Sequence, residues 1–205
     1  MSLIETCQGV EALFDHQVDT YTRLGFTALI GTEPFDELKT QLLDVATDFS
    51  TPDFFSLAVP DAAIPLSEQL RLAGSRAFLK KENMDDTEVW QQEPVLPYVL
   101  LEVDDGEEYR GVPAEIAAER IAETNRHSFK IDELISLGLH ARHLWTVNHR
   151  GLYAAATLHK AEEGQLPTTI DLYLYGEGLK VRRDPGNISD PGWTTPHYFD
   201  RVIVA

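Results

Sequence analysis

Cysteine is almost missing from this chain: Cys7 is the single one in 205 residues. An intrachain disulfide is excluded, and so is a zinc site built from thiolates. Nothing in the composition calls for an oxidising compartment. Basic side chains are the second shortage, with 17 Lys and Arg against 34 Asp and Glu and a formal net charge of −17. A polyanion rewards a basic face through counterion release, and no Lys/Arg cluster of useful size is present, so nucleic acid is not an expected partner. The same deficit argues against docking on an anionic membrane. Long apolar runs are the third shortage. No stretch approaches the roughly 18 residues that span a bilayer. The opening MSLIETCQGVEALFDHQ carries acids early and has no continuous apolar segment, so it does not read as a signal peptide. Asn187-Ile188-Ser189 matches a glycosylation sequon, which without a secretion signal reads as chance. The expectation is a soluble, acidic, cytoplasmic protein.

What is present is an ordinary globular inventory. Apolar residues make up 43% of the chain, enough for a core, and the length fits one domain over residues 1–205. Val10, Leu13, Phe14, Val18, Tyr21 and Leu24 recur at helical spacing and Gly25 stops them, predicting a helix over 10–24. Phe35, Leu38, Leu42, Val45 and Phe49 predict a second helix from about Pro34, with Thr32 as its N-cap. Phe54–Val59 suits a buried strand, and Leu66–Leu72 a turn or two of helix closed by Gly74. Residues 75–93 are polar and patternless and predict a loop. VLPYVLLEV (95–103) is the strongest strand pattern and ends at Asp104-Asp105-Gly106. Pro113 opens a helix to about Thr124, with Ile116, Ala117 and Ile121 expected inward. Ile131–Leu144 predicts another, burying Leu134, Ile135 and Leu139 and weakened by Gly138.

From Leu152 the period changes to that of strands. Leu152–Leu158, then Ile170, Leu172 and Leu174 alternating with Asp171, Tyr173 and Tyr175, then Leu179–Arg183 after Gly176-Glu177-Gly178, predict a strand and a hairpin. Asp184-Pro185-Gly186 and Asp190-Pro191-Gly192 are turns, and Tyr198–Val204 predicts a last strand. Helices first and strands last give an α+β fold, N-terminal helices packed on a largely antiparallel β-sheet.

The segments FDHQVDTYTRLG (14–25), PYVLLEVDDGEEYRGVPAEIA (97–117) and FKIDELISLGLHARHLWTVN (129–148), with the hairpin and its aromatic C-terminal loop, resemble an uncharacterised, mainly actinobacterial domain family of unknown function. The resemblance spans nearly the whole chain, and the chain departs from the pattern at His149-Arg150-Gly151-Leu152. It implies a self-contained, single-domain bacterial protein and carries no activity, cofactor or catalytic residue.

Five of the seven histidines lie between 127 and 159: His127, His140, His143, His149 and His159. His140 and His143 are three apart, so on a helix they share a face and can hold a divalent metal, with His149 or an acid completing the set. The competing structural reading puts both at a helix C-terminus, where imidazolium meets the negative end of the dipole. Asp104-Asp105-Gly106-Glu107-Glu108 follows a strand, but lacks the alternating spacing and terminal Glu of a calcium loop and reads as a solvated turn. Cys7 has no neighbouring base to activate it, and no nucleophile elbow, phosphate loop or dinucleotide fingerprint occurs. Trp193 in DPGWTTPHYFD, with Tyr198, Phe199 and Trp145, either plugs a core or lines an apolar pocket.

Three functions follow. The first is a non-enzymatic binding or interaction protein, whose partner is another protein or a small molecule. The second is a metal-dependent enzyme with His140, His143 and His149 as ligands and an acid such as Asp104 as base. The third is a small-molecule-binding protein with a pocket under the Trp193 loop, lined by Tyr198 and Trp145. The sequence names no cofactor and leaves the oligomeric state open.

Overall fold

The computed structural model describes residues 9–46, 55–74, 94–141, 151–159, 168–175 and 178–203. The predicted loop over 75–93, the far end of the second helix, Cys7, His143, Trp145 and His149 lie outside the described residues. Helix α1 (Val10–Leu24) ends on Gly25 in the left-handed conformation, as its sequence requires. A short helix α2 (Thr27–Ile30) leads to α3 (Glu33–Ala46). Strand β1 (Ser56–Ala58) precedes α4 (Leu66–Leu72). After β2 (Tyr98–Leu101), the acidic turn contains a 3₁₀ turn over Glu107–Tyr109. Helix α5 (Ala114–Glu123), strand β3 (His127–Ser128) and helix α6 (Ile131–His140) follow. The last third is β4 (Gly151–His159), β5 (Thr168–Tyr175), β6 (Gly178–Pro185), β7 (Trp193–Thr194), β8 (His197–Tyr198) and β9 (Asp200–Ile203).

The strands make three sheets, ordered β1-β2-β9, β3-β8 and β6-β5-β4-β7. All pairings are antiparallel except β4 with β7, which is parallel at Gly151–Leu152 against Trp193–Thr194. The fold is therefore α+β with a largely antiparallel sheet content.

The sheet β1-β2-β9 is covered on both faces. Leu57, Val99, Leu101 and Val202 face Leu13, Phe14, Tyr21, Phe35, Leu38 and Leu42 of the N-terminal helices. Ala58, Tyr98 and Leu100 belong to a second core with α6. Alternate residues of one strand thus enter two different cores, so β2 reads as an unbroken apolar run. Helix α6 is itself enclosed. Its other side meets Leu152, Ala154, Ile170, Leu172, Leu179 and Val181 on the inner face of the four-stranded sheet.

The outer face of that sheet holds Tyr153, Ala155 and Trp193 packed on Ala114 of α5. Trp193 lies against Gly151, where a Cβ would come within 2.6 Å of indole carbons. Arg182 stacks on the same indole, 4.9 Å from its centroid, and pairs with the buried Asp171 at 3.1 Å.

Several expectations change. Ile116 points outward and is exposed, and Ala114 takes its place with Ala117 and Ile121, because the buried stripe runs 114-117-121. Val45 is exposed at the end of α3, and Leu139 is half-buried. Val95 and Leu96 precede β2 and are exposed rather than continuing it. The single last strand is two: His197–Tyr198 pairs with β3, and Asp200–Ile203 pairs with β2. Phe199 at the break is exposed and donates its N–H to the Leu101 carbonyl. Helix α6 runs unbroken through Gly138, which is buried with nearly all of its neighbours on the helix.

Candidate functional site

His140 closes α6 and is buried, with its ring edge-on to Tyr21 at 4.8 Å between centroids. Neither ring nitrogen has a hydrogen-bond partner. Burial holds the imidazole down at about 3; the nearby Leu57 backbone opposes this and His16 adds to it. Its neutral ring is suited to packing at physiological pH. Among the described residues no group of three His, Cys, Asp or Glu side chains is placed to hold a metal ion. Trp193 and Tyr198 are both interior and belong to different packed clusters, Trp193 on the outer face of the four-stranded sheet and Tyr198 in the core around α6.

The first turn of α6 carries a buried polar node that the sequence did not reveal. Glu133 is fully enclosed, and its carboxylate accepts hydrogen bonds from Tyr98 Oη at 2.8 Å, Tyr198 Oη at 3.3 Å and the Lys130 backbone N–H at 2.7 Å. One carboxylate therefore ties β2, β8 and the start of α6 together. The Lys130 ammonium lies 5.8 Å from the Tyr98 ring centroid. Burial, reinforced by the Glu133 charge, pushes both the Tyr98 and Tyr198 phenols up. Next to Glu133, Asp132 uses Oδ1 to accept the Glu133 N–H at 2.9 Å, while its Oδ2 is buried without a partner. Burial pushes the Asp132 carboxyl up to about 7; Lys130 pulls it down, and Glu133 and Asp61 push it further up. Tyr21 completes the node from α1, hydrogen-bonded to the Leu57 carbonyl at 2.7 Å and Ser136 Oγ at 2.8 Å.

A second constellation lies at the surface and joins two stretches 90 residues apart in sequence. Asp104 and His197 exchange backbone hydrogen bonds at 2.9 and 3.2 Å. The acidic turn is fixed from within: Asp104 Oδ1 accepts the Gly106 N–H at 2.8 Å, and Asp105 Oδ1 accepts the Glu107 N–H at 3.0 Å. Gly106 has φ of 73°, and a Cβ there would sit 2.1 Å from the Thr195 carbonyl oxygen. Only glycine allows the turn to lie so close to the Thr195–Pro196 backbone between β7 and β8. The buried His197 ring sits edge-on to Tyr109 at 5.6 Å, and its Nε2 is 3.8 Å from Glu108 Oε1. Burial lowers its pKa most, Arg126 adds to the lowering, and Asp104 and Glu108 oppose it. Arg126 is held by Glu102, whose backbone is left-handed at φ of 50° and whose carboxylate is 3.7 Å from the guanidinium. Asp104 and Glu108 are exposed, as are Glu119 and Glu123 of α5.

His197 was missed because its chemistry depends on a turn far away in sequence, and no local spacing announces the pair. Glu133, seven residues before His140, reads from spacing only as a long-reach third metal ligand, and Asp132 gives no signal, because acids at the start of a helix usually face water and favour its dipole. No family model, no curated protein and no solved structure matches this chain.

Proposed function

We propose that the chain is a non-enzymatic binding protein that takes a basic segment of a protein partner on the face built from Asp104, Glu108 and the outer side of α5. The observation that carries this reading is the fixed acidic turn. Its carboxylates Asp104 and Glu108 are exposed, yet the turn is clamped by Gly106 against Thr195 and by the Asp104–His197 pairing. A preordered acidic edge binds with less ordering cost than a loop. Several of the described cations are engaged with the protein's own acids: Lys39 with Glu11 and Asp15, Arg71 with Glu68, Arg110 with Glu107, Arg126 with Glu102 and Arg182 with Asp171. The excess of acids is thereby left to the surface, where it steers a cationic partner toward the protein.

The test is titration of the protein with a Lys/Arg-rich peptide and with a neutral peptide of the same length. Binding of the basic peptide alone, weakening as salt rises from roughly 50 to 300 mM, is expected because surface attraction is screened over a Debye length of about 10 Å or less. Asp104→Asn combined with Glu108→Gln should weaken it about tenfold, the equivalent of two rim charges at roughly 0.7 kcal/mol each. Equal binding by the variant and the parent, or no binding of either peptide, rejects the proposal.

A further inference from the structure

We infer that the first turn of α6 is a pH-operated latch: uncharged Asp132 keeps the turn closed on β1, to which Tyr21 and Ser136 tie it, and ionised Asp132, beside Glu133 and Asp61, releases it. The geometry sets up the competition. Asp132 and Glu133 are consecutive and both buried. Glu133 has three hydrogen-bond donors to compensate a charge, from Tyr98, Tyr198 and the Lys130 backbone. Asp132 has the single Glu133 N–H on one oxygen and no partner on the other. A buried charge left without partners costs far more than a buried neutral carboxyl, and two adjacent buried carboxylates resist ionising together.

Groups from several elements around the turn bear on Asp132. On its own element are Lys130, whose ammonium favours the ionised form, and Glu133, which opposes it. Asp61 on the loop between β1 and α4 also opposes it. Tyr21 of α1, Tyr98 of β2 and Tyr198 of β8 feel the Asp132 charge, and Arg201 of β9 acts on Tyr198. Asp61 is half-exposed, so the loop that bears it is the side on which water can reach the carboxyl once the turn opens.

Opening relieves an Asp132 that is harder to ionise in the closed state than in water. The open state therefore gains as pH rises from the ordinary aspartate range toward about 7, and gains nothing further above it. Amide hydrogen exchange, corrected for the intrinsic pH dependence of exchange, reads this directly. Peptides spanning 56–66 and 129–137 should lose protection about tenfold per pH unit between roughly pH 5 and 7 and then level off, the slope expected for one released proton. A peptide spanning α5 serves as the internal reference and should stay flat. Asp132→Asn should abolish the slope, and Asp61→Asn, by removing a repelling charge, should move the levelling-off to lower pH. Loss of slope in the first variant or a downward move in the second supports the latch. An unchanged slope in Asp132→Asn overturns it, as does a flat parent. If Asp132→Asn does not fold, an unmoved midpoint in Asp61→Asn overturns it.

Discussion

At the scale of single residues, the interior of this protein holds two groups whose titrations oppose each other. His140 is buried as the neutral ring, held down to about 3, so its contribution is present above the unfolded value near 6.5 and is lost as pH falls toward 3. Asp132 is displaced upward, so its contribution is present below about 4 and is lost as pH rises toward 7. Between about pH 4 and 6.5 the two slopes have opposite sign, each at most about 1.4 kcal/mol per pH unit. His140→Gln leaves Asp132 unopposed. Urea unfolding of this variant should show a stability slope more negative than the parent's by about 1 kcal/mol per pH unit over that window; parallel slopes would show that His140 is not buried as the neutral form. Glu133 makes a separate prediction. Tyr98→Phe and Tyr198→Phe each remove one donor from a buried carboxylate and should cost about 1–3 kcal/mol. The double variant should cost clearly more or less than the sum, because both phenols share Oε1.

At the scale of elements, the contact between β4 and β7 is the sharpest constraint. Gly151 faces the Trp193 indole so closely that a methyl group would overlap three ring carbons. Gly151→Ala should destabilise the protein by about 1–3 kcal/mol, the usual cost of overpacking. In a Trp193→Ala background, itself costing about 3–5 kcal/mol, the same change should cost little or nothing, and a double-mutant cycle by thermal unfolding measures the difference. If Gly151→Ala costs the same in both backgrounds, Trp193 does not sit there.

The elements themselves were mostly legible. The periods of α1 and of the hairpin of β5 and β6 place those elements, but not their full burial: Gln17 and Thr20 of α1 and Asp171 on the far face of β5 are buried as well, because tertiary neighbours cover them. β2 and α6 are buried on more than one side, so their apolar runs mark burial without indicating which neighbour covers which residue. Ile116 shows the limit: on a short helix, two stripes of equal apolar content differ by one residue, and only the packing against Tyr109 and Val112 chooses Ala117 and Ile121. The node at Glu133 and the pairing of His197 with Asp104 are products of tertiary placement and have no local pattern to read.

At the scale of the whole molecule, the charge excess and the clamped acidic turn belong together. A chain this acidic repels itself, and several of its described cations are drawn into ion pairs on their own surface. Because such exposed pairs contribute little individually, added salt should change the stability of the folded chain modestly while weakening a basic peptide's affinity far more. Thermal unfolding and peptide titration over the same salt series measure the two responses; a collapse of stability in parallel with affinity would place the charges in the scaffold instead of the binding face.

The position of β9 has a kinetic consequence. Its partner β2 stands about a hundred residues earlier, between the two cores, with β1 on its other edge. During synthesis the N-terminal helices, β1 and β2 emerge long before the strand that covers their open side. The growing chain must hold a half-finished, strongly apolar sheet in solution until Asp200–Ile203 have left the ribosome. Pairings between strands so far apart in sequence form slowly, so refolding of this protein should be limited by the long-range capture of β9 rather than by local zippering.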